Sequence, residues 1–122
     1  KYPFRELAGV GVVFKLIQAL GIKLGLKEET YLKYLDIVCL GTISDIVPLV
    51  DENRVIAKLG LMLVQQTRNI GLRSIINSSG YKKVDSTTIS FGVAPRINAC
   101  GRMGMAEEAL NLFLSKNILI KK

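Results

Sequence analysis

The densest concentration of chemically useful side chains runs Ala94-Pro95-Arg96-Ile97-Asn98-Ala99-Cys100-Gly101-Arg102-Met103-Gly104, with two arginines, an asparagine, a proline and two glycines. Guanidinium groups are planar forks that match phosphate oxygens, and glycine lets backbone N–H groups come close to an anion. A helix starting near Met105 would add the positive end of its dipole. The run therefore reads as an anion grip, with Arg96 and Arg102 as the forks and Gly101 and Gly104 as phosphate-loop backbone. The competing reading is a turn shaped by Gly101 and Gly104 with both arginines solvated, and the local pattern supports the two equally.

A second candidate is Asp45, the one carboxylate in the otherwise apolar stretch Leu40-Gly41-Thr42-Ile43-Ser44-Asp45-Ile46-Val47-Pro48-Leu49. A charge in such surroundings needs compensation, because burying it alone costs several kcal/mol. Asp45 must cap a helix, pair with an arginine or bind a metal ion. Cys39 and Cys100 are far apart, no CxxC spacing occurs, and the chain has no histidine. A zinc site is thereby excluded, as is any mechanism that draws an imidazole from within this chain. Both cysteines read as reduced, small, buried hydrophobes of a cytoplasmic protein.

Composition limits the partners. Seventeen Lys and Arg against ten Asp and Glu give a net charge of +7 and a pI near 9.6, which favours a polyanion such as nucleic acid over an acidic small molecule. A hydrophobic fraction of 49% and a mean hydropathy of +0.33 are high for 122 residues. No apolar run reaches the ~20 residues that span a bilayer, so no membrane association is expected. The surplus apolar surface implies packing against something else, either a partner or the remainder of a longer polypeptide. The first residue is Lys1 and no signal-peptide pattern follows it, so the chain reads as an excised fragment.

These residues must be carried by helices. Val10, Val13, Phe14, Ile17 and Leu20 recur at helical spacing before Gly21, giving a first helix over 8–20 with that set as its inward face. A second helix begins near Glu28 and carries Leu32, Leu35, Cys39 and Ile43, with Tyr31, Val38 and Leu40 extending burial to most sides. Pro48 stops it, and Asp51 is the expected N-cap of a third, whose inward stripe is Val55, Ile56, Leu59, Met62 and Leu63. Asn69 and Gly71 punctuate the end of that helix. A short helix over 72–77 follows, then one capped by Asp85, containing Ile89 and Val93 and interrupted at Pro95. A last helix over about 105–115 has Ala106, Ala109, Leu110 and Phe113 on one side. No stretch alternates convincingly enough for a strand. The expectation is a mainly α-helical fragment of about six helices with little or no strand.

At this point a resemblance emerges. The segment 41–49, followed some fifty residues later by 94–104, resembles the RecJ-type single-strand-specific exonucleases of the DHH phosphoesterase superfamily, and Tyr2 to Lys15 and Leu16 is similar to the segment leading into the first motif. The three segments occur in the family's order and span nearly the whole chain. The resemblance implies a larger α/β phosphoesterase of which residues 1 to about 50 end the phosphoesterase domain, while about 51–122 form a helical connection toward a second domain. It implies that Asp45 helps hold catalytic Mn²⁺ or Mg²⁺, hard cations that suit carboxylate oxygen. It further implies that Arg96 and Arg102 contact phosphates of single-stranded DNA, with Asn98 shaping or joining the contact.

The family's upstream Asp-His-His triplet and its downstream glycine-glycine-histidine type motif are both missing here, since the chain lacks histidine. Ser44 and Cys100 stand where alanine-like residues are expected. The parent would degrade single-stranded DNA from its 5′ end in repair and recombination, and the fragment alone would be inactive, because one carboxylate cannot hold two ions. Two alternatives stay open: a phosphodiesterase of the same superfamily acting on short oligonucleotides or cyclic dinucleotides, and a non-catalytic basic helical module that binds nucleic acid or serves as an adaptor.

Overall fold

The computed structural model describes residues 2–115. Those residues form seven α-helices and one π-helical stretch, with no strand among them. This agrees with the all-helical expectation. Packing divides the chain into two compact units, one running to Gln65 and the other beginning at Gln66.

In the first unit, α1 (Gly9–Lys23) is followed by a single turn, α2 (Glu29–Leu32), then α3 (Leu35–Ser44) and α4 (Asp51–Val64). The second helix expected from the sequence is thus two, broken at Lys33 and Tyr34. Tyr31 is the reason on the α1 side: its ring lies against Gly21, so close that a side chain there would meet it. Burial of α3 extends around most of its circumference, through Leu35, Val38, Cys39, Leu40, Thr42 and Ile43.

Two helices turn a different face inward from the one expected. On α1, Phe14 is buried with Gly11 and Gly21, while Val13, Ile17 and Leu20 are exposed. On α4 the buried line is Asn53, Ile56, Ala57, Gly60 and Val64, and Val55, Leu59, Met62 and Leu63 face outward. The cause on α4 is its close packing against α3. A Cβ at position 60 would fall on Cys39 Cβ and lie 2.7 Å from the Leu35 carbonyl oxygen, so only the small-residue face allows the two backbones to approach this closely. Asp51 also departs from its expected capping role. It is the first residue of α4, with a left-handed φ of 50°, and Val50 precedes the helix without any side-chain cap.

The second unit begins with α5 (Ile70–Ser79). Asn69 caps its start, accepting the Leu72 N–H at 3.0 Å, instead of punctuating the end of α4. After Gly80 and a short non-helical link, the chain is continuously helical from Ser86 to Arg102. Asp85 caps it as expected: its carboxylate accepts the Thr88 N–H at 3.0 Å, while Thr88 Oγ1 donates to the Lys83 carbonyl at 2.6 Å. The Thr88 N–H holds the Asp85 carboxyl below its ordinary pKa.

Pro95 does not interrupt this stretch. The π-helical turn Thr88–Val93 widens the coil, so that the Ala94 N–H reaches back to the Ile89 carbonyl, and Pro95 sits in the first turn of α6 (Ala94–Arg102), where its missing N–H costs nothing. The last helix, α7 (Ala106–Leu114), packs on α5 and α6.

Candidate functional site

Asp45 is the residue immediately after α3, at the point where the helix ends. Its own N–H donates to the Gly41 carbonyl at 3.1 Å, and the next N–H, of Ile46, to the Ile43 carbonyl at 3.2 Å. Ile46 takes φ 55°, a left-handed conformation that costs a β-branched residue ~1–2 kcal/mol. The residue is 90% exposed, so no packing offsets that cost.

The Asp45 carboxylate is exposed and makes no hydrogen bond or ion pair with the described residues. That corrects the expectation of a charge in an apolar interior. Two of its three candidate roles, a cap or an arginine pair, have no counterpart here. What remains is a free carboxylate at the negative end of a helix, which is electrostatically unfavourable until a cation arrives. As an oxygen donor it suits a hard divalent ion. Among the described residues no group of three or more His, Cys, Asp or Glu side chains is close enough together to hold a metal.

The loop carrying Asp45 is fastened by Asn53, in the first turn of α4. Asn53 is fully buried, and its amide nitrogen donates to the Pro48 carbonyl at 2.9 Å and to the Glu6 carbonyl at 2.6 Å. Sequence reasoning passed over this residue because an asparagine near a helix start carries no distinguishing pattern. Nothing local predicts the left-handed Ile46 either.

The second candidate segment is a helix and not a loop. Arg96, Asn98 and Gly101 all lie within α6, and Arg102 is its last residue. Gly104 adopts φ 72° and donates its N–H to the Gly101 carbonyl at 3.3 Å, closing the helix end. Gly104 thus spends its N–H inside the turn, and Gly101 is an interior position of the helix.

The side chains separate by helical phase. Asn98 and Arg102, one turn apart, line a groove of about 680 Å³ floored by Ile97, Ala106, Leu110 and Phe113. The expected face of the last helix does line this groove, through Ala106, Ala109, Leu110 and Phe113. Arg96 projects elsewhere and donates to Ser78 Oγ at 3.3 Å, at the end of α5. The Arg102 guanidinium forms no hydrogen bond or ion pair with the described residues, which leaves its fork available. Asp45 belongs to the first unit, and Arg96, Asn98 and Arg102 to the second.

No family model matches the chain. Among curated proteins, it is 47% identical over 119 residues to the single-stranded-DNA-specific exonuclease RecJ of Bacillus subtilis, covering 95% of this chain and 14% of that protein. Against RecJ of Thermus thermophilus it is 41% identical over 107 residues, 88% of this chain and 16% of the relative. Among solved structures, RecJ of Thermus thermophilus in complex with Mn²⁺ superposes with a TM-score of 0.88 at 38% identity, covering 96% of this chain and 18% of that one. Exonuclease RecJ bound to manganese gives 0.89 at 37% identity, over 99% of this chain and 31% of that one. The chain therefore spans a small part of the length of the relatives it matches. Over the segment that it spans, this chain is similar to RecJ exonucleases both in sequence and in fold.

Proposed function

We propose that this chain forms part of a metal-dependent exonuclease that degrades single-stranded DNA from the 5′ end in DNA repair and recombination. The observation that carries this reading is the 47% identity to an exonuclease of that specificity, sustained over 95% of the chain. In this reading residues 1 to about 50 end the phosphoesterase domain, and about 51–122 form the helical connection toward a second domain.

Asp45 supplies one carboxylate ligand to a Mn²⁺ or Mg²⁺ centre, and the exposed, unpaired state of its carboxylate supports that role. Such ions, when bound, activate water and stabilise the leaving oxygen of a phosphodiester. Arg102, with Asn98 beside it, presents an unpaired fork to backbone phosphates, and Arg96 provides a second cationic contact on another side of α6. Phosphate contacts of this kind hold a strand in register without reading its sequence. The segment by itself contributes one ligand and is expected to be inactive.

The test uses the full-length protein that contains this segment. Asp45→Ala is expected to reduce Mn²⁺-dependent cleavage of long single-stranded DNA by at least about 100-fold while circular dichroism stays unchanged. Wild-type rates in that variant would remove Asp45 from the metal centre. Cleavage of dinucleotides in preference to long strands would instead favour the small-substrate phosphodiesterase.

A further inference from the structure

We propose that Asn53 is a positioning residue for the Asp45 carboxylate, acting as a staple that fixes the backbone of the loop between α3 and α4. The inference rests on the reading of Asp45 as a metal ligand and extends it to a side chain that touches neither metal nor substrate.

Three observations converge on it. First, the staple is chemically specific. Both partners of the Asn53 side chain are backbone carbonyls, at 2.6 Å (Glu6) and 2.9 Å (Pro48), so only a group with two N–H donors on one atom can serve them. An aspartate of the same shape would set a carboxylate against two carbonyl oxygens. Second, the staple is fully buried, yet the amide oxygen has no partner, so hydrogen bonding is satisfied on the loop side alone. A buried acceptor left unpaired is costly, so what this amide contributes to the folded chain is its two donated bonds. Third, the loop it fastens is strained. Pro48 is three residues past Asp45, and between them Ile46 holds a left-handed φ of 55° with an exposed side chain. Strain of that kind survives only where the surroundings over-determine the backbone.

The staple also reaches across the unit. It joins the segment before α1, through Glu6, to the loop after α3, through Pro48, from a position on α4. The exit of α3, where Asp45 projects, is thereby tied to two other segments. A ligand on an otherwise free loop would have to be ordered when the ion binds, and that ordering would reduce affinity. A ligand held in place beforehand avoids this, which is the effect that groups behind metal ligands exert in general.

Mn²⁺ binding to the full-length protein, followed by electron paramagnetic resonance titration, tests the proposal alongside thermal unfolding without metal. Asn53→Ala is expected to weaken Mn²⁺ binding about 10- to 100-fold and to lower Tm. Ile46→Gly is a companion variant of the same loop: it relieves the left-handed strain while loosening the backbone, so Tm should rise as Mn²⁺ affinity falls. A merely structural role for Asn53 lowers Tm and leaves the Mn²⁺ affinity of the folded variant unchanged.

Asp45→Asn is the control for the underlying reading. If it binds Mn²⁺ as the wild type does, Asp45 is not a ligand and both proposals fall. If it loses Mn²⁺ while folded Asn53→Ala retains wild-type affinity, the staple holds the fold only and the positioning role is overturned. Should Asn53→Ala not fold, Asn53→Ser, which can donate to only one of the two carbonyls, decides in its place, and unchanged Mn²⁺ affinity in that variant overturns the proposal.

Discussion

Asp45 and Cys39 sit on the same helix and its exit, and their environments give them opposite chemistry. Cys39 is fully enclosed between α3 and α4, with its Sγ donating to the Ala57 carbonyl at 3.6 Å. Burial pushes its thiol up to about 12, helped by the nearby Asp36 carboxylate, so the thiolate is essentially absent at neutral pH. Cys100 is partly exposed near the end of α6. In a thiol titration at pH 8, one equivalent is expected to react in the native chain and a second only after denaturation. Prompt reaction of both would mean that the α3–α4 contact opens readily. The sequence assigned both cysteines to the interior. It was right for Cys39 and wrong for Cys100, because residue type alone does not tell which turn of a helix reaches the surface.

At the scale of elements, the α3–α4 contact decides most of the first unit. Gly60→Ala would improve helix propensity by ~1 kcal/mol, but the new methyl would collide with Cys39 and the Leu35 carbonyl. The collision is backbone-bounded and cannot be relieved by a rotamer change. A net destabilisation of ~2–3 kcal/mol is expected in chemical denaturation, and a stabilised variant would show that the helices are not in this register.

A second tie runs from α1 to α4 through Lys15 and Glu52, 2.6 Å apart, with the Tyr2 hydroxyl donating to the same carboxylate at 2.5 Å. Partial burial opposes ionisation of Glu52, but the hydrogen bonds from Lys15 and Tyr2 outweigh it and leave its pKa lowered. Desolvation likewise opposes the Lys15 charge, and Glu52 more than restores it, leaving that pKa raised. Tyr2 is raised chiefly by its hydrogen bond to Glu52.

The signs define a window. The lowered Glu52 contributes stability above its ordinary value of 4.5 that is lost as pH falls through the folded value. The raised Lys15 and Tyr2 contribute below 10.5 and 10.0 and lose it as pH rises past their folded values. Such a part-exposed cluster is worth ~0.5–1 kcal/mol. Glu52→Gln should therefore narrow the gap to wild type below about pH 4 and show its full deficit at pH 7, measured as urea midpoints. A deficit independent of pH would point to packing and not charge. The positions of both helices were readable in the sequence, but their inward faces were not. Periodicity identifies an apolar stripe, and the tightest backbone approach selected the small-residue line instead.

At the scale of the whole molecule, α1 and α4 leave apolar surface uncovered. Val12, Val13, Leu16 and Leu20 are exposed on α1, and Val55, Leu59 and Met62 on α4. Surface of this kind is what a segment retains when the rest of its family's fold lies outside it, and the chain spans 14% of its Bacillus subtilis relative. Expressed alone, the chain should self-associate in size-exclusion chromatography and bind a hydrophobic dye. Leu16→Lys combined with Met62→Lys should shift it toward monomer and reduce dye binding. A monodisperse wild-type chain without dye binding would contradict this account. None of the described helices is long and apolar enough to cross a membrane.

By itself the sequence determined the helical class, the positions of the turns near Pro48 and Gly80, the Asp85 cap and the resemblance to RecJ exonucleases, because each is written in local propensity or in contiguous motifs. It also singled out Asp45 and the arginine-bearing run. Tertiary structure alone decided that this run is a helix whose Asn98 and Arg102 share a groove while Arg96 does not. It alone turned α1 and α4 onto their small-residue faces, held Ile46 left-handed and brought Asn53 between Glu6 and Pro48. The face that α4 turns inward depends on how closely it approaches α3, a distance set by Gly60 against Cys39 and by no local pattern.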